Sequence, residues 1–386
     1  MPSRGPGRVQ HIAYDSTPLN SSRPDLDART GWLLAMSRLH NADSAIKNGR
    51  EFVAALSDAG CCVSRSLVSR WESGEIAISY EGMSAYESAL GVEPGQISSV
   101  IGYARAAMPG SASKVIGPQL DGTSREFAER LDELIRLAED GRADARQWQE
   151  LGRHLTCVPL VHLPGSTWES LSHRLINRLP RSIKVPYRLY TTAAMNIASL
   201  VRAQDFLVDA IEVYLQDPDV QLITNPLGLL DSLPTRKAAR IVLDVIDDPP
   251  TSGTFRMAVW LAAQKVARGD FSAQERARLH MAVLRLWRKD PTRAAEELAE
   301  LIAGMPPGMR STLTEAATKA GQRQLGYVVE HGHSWQEPGR WRTSWPKPPG
   351  TGHRSRRTTT RTRCSAGCCG RRFSIATPSA GIWRRC

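Results

Sequence analysis

An all-α chain with a small N-terminal domain, a long helical array and a basic tail is what the sequence predicts, on three observations. Apolar residues recur at helical spacing, with Phe127, Leu131, Leu134, Ile135 and Leu137 on one stripe and Leu171, Leu175, Ile176 and Leu179 on another. Strand patterns of alternating residues are nearly absent. Asp-Pro breaks at 217/218 and 290/291, with Asp248-Pro249-Pro250 between them, punctuate the C-terminal run.

The elements follow in chain order. Residues 1–27 hold Pro2, Pro6, Pro18 and Pro24 among Ser, Gly and Arg, which leaves no apolar face to bury and predicts a flexible arm. Residues 28–108 turn periodic, with short amphipathic segments at 32–39, 50–57, 64–73 and 80–90, the signature of a small helical domain. Pro109, Gly110, Ser111, Ser113, Gly117 and Pro118 mark 109–122 as a linker. A helix should open at Thr123, which has capping-box spacing to Glu126.

Residues 123–330 then read as successive helices at 191–215, 235–247, 255–268, 273–289, 292–303 and 311–324. The intervals between the proline breaks, 31 and 42 residues, are close to the period of paired-helix solenoids. This makes an irregular, solenoid-like region suited to dimerisation or sensing. After Val329 the pattern stops. Residues 331–386 should be a disordered basic tail whose Arg, Gly, Pro, Cys and Trp content matches a GC-rich gene read in a shifted frame, against the rival of a tail that grips phosphates.

The 386 residues allow two or three domains, and the formal net charge is +11. That charge is misleading. The tail from His331 carries twelve Lys+Arg and one acid, Glu337, so residues 1–330 are neutral and nucleic-acid binding has to rest on a motif. Cys61, Cys62 and Cys157 lie in the body and Cys364, Cys368, Cys369 and Cys386 in the tail, an odd total with an adjacent pair and no disulfide framework. With a polar N-terminus and no apolar run approaching 18 residues, the expectation is a cytoplasmic protein with reduced body thiols and no membrane partner.

The strongest signal is the stretch from Gly60 to Gly74. It parses as a turn and a helix with Ser64 at its N-cap, Leu67, Val68 and Trp71 facing inward and Gly74 as the stop. Arg65, Ser66, Ser69 and Arg70 then face outward. Short side chains let a helix approach the major groove, hydroxyls reach phosphates or base edges, and an arginine donates bidentately to guanine. Phe52, Val53 and Leu56 of the preceding segment can pack beneath Leu67 and Val68, with Gly60 allowing the change of direction. Met83, Tyr86 and Leu90 face inward from the segment that follows.

On these residues, 28–107 resemble the helix-turn-helix domain of phage-repressor-like regulators of the Xre family. The phrase Val63-Ser64-Arg65-Ser66, followed by Ser69-Arg70-Trp71-Glu72 and Gly74, is similar to the family's recognition helix. The resemblance covers about a fifth of the chain. It implies sequence-specific binding of double-stranded DNA by a homodimer, with Ser64, Arg65, Ser66, Ser69 and Arg70 toward the groove and Asn48 and Arg50 on phosphates. Trp71 and Glu72 are structural on this reading. The connection Asp58–Cys62 is longer than the family's turn and carries two cysteines. The helical region resembles that of actinobacterial-type regulators and is where a protein or small-molecule effector would act.

Other features favour plain readings. Cys61 and Cys62 are expected to pack as small hydrophobes rather than to form a redox switch. The tail cysteines lack the paired spacing of a zinc site, and no HExxH, GxSxG or phosphate loop occurs, so no metal, cofactor or catalytic residue is expected. Trp260 and Trp287 are expected in the core, with a ligand pocket as the rival, and Asp247 and Asp248 as a helix end. The function that follows is transcriptional regulation. The rival from another class is an α-helical interaction scaffold that binds no specific DNA.

Overall fold

Side-chain caps start most of the N-terminal helices and glycines stop three of them. The structure is a computed structural model that describes residues 24–107, 117, 120–158, 162–217, 220, 224–289, 291–305, 307–316, 322, 323 and 326. Among these residues every regular element is a helix. The chain is all-α. Helices α1 (Leu26–Leu39), α2 (Ser44–Lys47), α3 (Gly49–Asp58), α4 (Arg65–Glu72) and α5 (Tyr80–Ala89) begin at Asp25, Asp43, Asn48, Ser64 and Ser79, each accepting a backbone N–H of its first turn. Gly60, Gly74 and Gly91, with φ of 85°, 71° and 66°, end α3, α4 and α5. In each case the next residue donates back into the last turn: Cys61 N to Leu56 O, Glu75 N to Arg70 O, and Val92 N to Glu87 O.

Helix α6 (Ser98–Ala106) has no cap from its own preceding residue. The buried Glu87 carboxylate of α5 takes the amides of Gly95, Ile97 and Ser98 at 2.6, 2.7 and 2.6 Å instead. Around these helices Leu34, Phe52, Leu56, Val68, Trp71, Met83, Tyr86, Leu90 and Ile101 form one apolar core. Trp71 and Val68 enter it because they share the inner side of α4.

The remaining helices build a second core from Leu134 to Met305. They are α7 (Arg125–Glu139), α8 (Ala145–Cys157), α9 (Gly165–Arg178), α10 (Lys184–Ala198), α11 (Val201–Gln216), α12 (Thr224–Gly228) with a 3-10 turn Leu229–Ser232, α13 (Arg236–Asp247), α14 (Ser252–Arg268), α15 (Ala273–Lys289), α16 (Pro291–Gly304) and α17 (Pro307–Ala316). Next-but-one neighbours pack together: α8 on α10, α9 on α11, α11 on α13, α13 on α15 and α14 on α16. Gly152 lets α8 approach α10 closely, since a Cβ there would lie 3.1 Å from Ala193 Cα. Lys265 of α14 is fully buried, donating to Leu233 O at 2.8 Å with Asp270 at 3.6 Å, and burial lowers its pKa.

The two cores meet through α6, which packs on α10. Arg188 donates to Ser99 Oγ at 2.8 Å, and Arg146 to Pro94 O at 3.0 Å.

Several boundaries differ from the sequence expectation. Ser124, not Thr123, caps α7, because the Thr123 hydroxyl is held by Asp121 at 2.7 Å. The single helix expected over 191–215 is two, since α10 starts at Lys184 and stops at Ala198, where Leu200 N bonds Ile197 O in a tightened last turn. Helix α1 begins at Leu26, inside the expected arm, and α2, α6, α8 and α12 lie where no helix was expected. The exposure of Trp260, 40%, removes it from the core, whereas Trp287 is fully buried. Cys62 is exposed and Cys61 only half-buried, so the packing expected of the pair fails for Cys62. Residues 1–23 of the arm, most of the 109–122 linker, part of the expected 311–324 helix and the whole 331–386 tail lie outside the described residues.

Candidate nucleic-acid interface

Helix α4 is divided by its own periodicity into a held side and an open side. On the held side Val68, Trp71 and Glu72 are buried. Glu72 is bound bidentately by Arg38 of α1, with Nε to Oε1 at 2.6 Å and Nη2 to Oε2 at 2.8 Å. Arg38 also donates to Lys47 O at 2.8 Å, and its guanidinium lies 5.6 Å from the Phe52 ring centroid. The Tyr86 hydroxyl sits 2.7 Å from Glu72 Oε1 and 2.9 Å from Leu34 O. The hydrogen bonds to Glu72 raise the Arg38 pKa, while burial and then the Glu72 charge push the Tyr86 phenol well above its ordinary value. This network ties α4 to α1, α2 and α5.

On the open side Ser64, Arg65, Ser66, Ser69 and Arg70 are exposed. Ser64 is committed as the N-cap, accepting from Leu67 N at 3.2 Å. Arg70 pairs with Glu75 at 3.0 Å, both about half-exposed. Arg65, the first residue of α4, reaches Gly49, the first residue of α3: a Cβ at Gly49 would meet Arg65 Nε at 3.1 Å. Asn48 caps α3 by accepting from Arg50 N at 3.0 Å, and Asn48 and Arg50 are exposed. The Arg65 side chain of α4 therefore lies against the first residue of α3, a positive helix end whose N-cap is Asn48 and whose first turn carries Arg50.

The wider charge opposes this local concentration. Residues 24–107 contain seven Lys+Arg and ten Asp+Glu. Glu72 and Glu87 are buried among donors and add little to the field outside, but Asp43, Glu51, Asp58 and Glu75 are exposed on the elements that carry the basic groups. What the arrangement can do is bind phosphate at the helix ends and present two hydroxyls and two guanidiniums from a rigid helix.

Reading the sequence alone placed Tyr86 inward but did not find Arg38 or Glu87, nor the bonds of Arg38 and Tyr86 to Glu72 and of the Gly95, Ile97 and Ser98 amides to Glu87, between groups 8 to 34 residues apart along the chain. The signal available was weak, a buried-side charged residue in each of three helices. Among the described residues no group of three or more His, Cys, Asp or Glu could hold a metal ion, and no helix is long and apolar enough to cross a membrane. Asp247 lies in ion pairs with Arg278 and Arg285, and Arg278 is shared with Asp244. No family model matches the chain, and neither a curated protein nor a solved structure matches it.

Proposed function

We propose that this chain is a sequence-specific DNA-binding transcriptional regulator whose α3 and α4 act as a helix-turn-helix, with α4 in the major groove. The observation that carries the reading is the open, hydroxyl- and arginine-bearing side of α4, from which Arg65 reaches Gly49 at the start of α3, next in sequence to the exposed Asn48 and Arg50. In that role Asn48, Arg50 and the α3 N-terminus take a phosphate, which sets register, and Ser66, Ser69 and Arg70 meet base edges. The Arg38–Glu72–Tyr86 network keeps α4 at a constant angle as it enters the groove. The similarity of the Ser64–Gly74 segment to Xre-family recognition helices points the same way. The helical region, read as solenoid-like with support from the packing of next-but-one helices, would supply a homodimer contact and an effector site. Two recognition helices should then read half-sites about 10 base pairs apart.

The rival reading, an interaction scaffold, is favoured by one observation, the acid excess of residues 24–107. Selection of genomic fragments by the full chain at near-physiological salt separates the two. One enriched sequence, lost with an Arg65→Ala/Arg70→Ala double variant, supports the regulator, and an inverted repeat within it supports a dimer. No enrichment by folded protein overturns the DNA reading and leaves the scaffold.

A further inference from the structure

The adjacent thiols of Cys61 and Cys62 stand in the turn between α3 and α4, and the structure presents them differently. Cys62 is exposed, while Cys61 is half-buried against the N-terminal core. Gly60 before them has φ 85°, and a Cβ placed on it would meet nothing within 4 Å, so the outer side of the turn is open. Residues 61–64 belong to no helix. Two soft donors therefore sit on consecutive residues outside any helix, the Cys62 side chain exposed and the Cys61 side chain half-buried.

Direct union of the two sulfurs is geometrically poor. Cα atoms across a trans peptide are about 3.8 Å apart, short of the roughly 4.4–6.8 Å usual for a disulfide. A bridging atom that accepts two thiolates removes that mismatch. Two donors are also too few for a structural zinc, which takes four ligands, and no third metal-ligating group joins them among the described residues. A trivalent arsenical with one remaining substituent needs two sulfurs.

We propose that Cys61 and Cys62 form a dithiol site for a trivalent arsenical, placed so that occupancy changes the angle between α3 and α4. With an organoarsenic oxide, R–As=O, two As–S bonds form, the As=O bond is lost, and both thiol protons leave in one water. Arsenic stays trivalent, so no oxidant or reductant enters. Cys62 reacts first because it is exposed. Cys61 follows by leaving its packing position, which displaces the residue whose N–H closes α3 on Leu56 O at 2.9 Å. The site itself does not depend on the DNA reading, but its effect on DNA affinity rests on it.

The test uses the full chain with the four tail cysteines changed to Ser, because Cys368 and Cys369 are a second adjacent pair. Phenylarsine oxide is titrated and the intact mass measured after challenge with excess monothiol and then with 2,3-dimercaptopropanol. The expected result is one adduct per chain that survives the monothiol and is removed by the dithiol. Cys61→Ser and Cys62→Ser should each lose it, and Cys157→Ser should keep it. An adduct removed by monothiol, or one retained in either Ser variant, overturns the proposal. Cys62→Ser alters only an exposed side chain, so its loss of the adduct cannot be ascribed to unfolding. With a DNA sequence selected as above, occupancy should lower affinity at least tenfold. An unchanged affinity overturns the coupling to α4. A dithiol-specific adduct on a chain that selects no DNA would sink the regulator reading and leave the site standing.

Discussion

Removing the Glu72 carboxylate should free α4 from the rest of its domain. The Arg38 and Glu72 side chains are 4% and 2% exposed and share two short charge-assisted hydrogen bonds. In Glu72→Ala the guanidinium stays buried with Lys47 O as its remaining acceptor, and the Tyr86 hydroxyl loses its nearer one. Deleting one member of a buried pair costs about 3–5 kcal/mol. At about 1.4 kcal/mol per decade, the local opening equilibrium should rise roughly 10²- to 10³-fold or more. Hydrogen exchange read by mass spectrometry on peptides spanning residues 65–72 measures this directly, with peptides from α14 as an internal standard that should not change. A triple Arg38→Leu/Glu72→Leu/Tyr86→Phe variant should recover most of the protection, because it removes the stranded charge together with its partners. Exchange in α4 within threefold of the parent for Glu72→Ala would refute the view that this network holds the helix.

The other predictions concern packing, acid sensitivity and charge. Gly31→Ala should destabilise the N-terminal helices by about 1–3 kcal/mol in urea unfolding, because its Cβ would lie 2.6 Å from Gly74 N and 2.8 Å from Trp71 O, backbone that cannot swing away. Glu150, hydrogen-bonded by Arg130 at 2.8 and 2.7 Å, has its pKa lowered chiefly by that bond. A carboxyl with a lowered folded value stabilises the fold above its unfolded value, and that contribution disappears as pH falls through the folded one. Glu150→Gln should therefore cost about 0.2–1 kcal/mol at neutral pH, the scale of a partly exposed pair, and the difference from the parent should close in acid, as urea midpoints against pH will show. Glu75→Gln should raise affinity for the selected DNA up to about fivefold by releasing Arg70 from its exposed ion pair. Equal or weaker binding in a titration would show that Arg70 is not restrained by Glu75.

Much of this protein is determined by short-range sequence. The apolar periodicity made the chain all-α, and Ser64, the Leu67, Val68 and Trp71 spacing and Gly74 delimit α4 and its open side, because caps, glycine stops and helical faces act within a few residues. The Ser64–Gly74 segment also carried the similarity to recognition helices from which the DNA reading starts. Tertiary structure decided what those local rules do not reach. Helix α6 was invisible because its cap is Glu87, supplied from the preceding helix. The break between α10 and α11 was hidden in a continuous apolar pattern, and Trp260 is exposed although its spacing suits a core position. Which charged residues are buried, Arg38, Glu72 and Lys265 among them, depended on partners 5 to 34 residues away or on the neighbouring helix. So did the gathering of Arg65 with the start of α3, which sequence separation alone does not reveal. The reason is common to all of these. Local propensity acts through a turn or two of backbone, whereas burial and polar pairing are settled only when helices from distant parts of the chain close on one another.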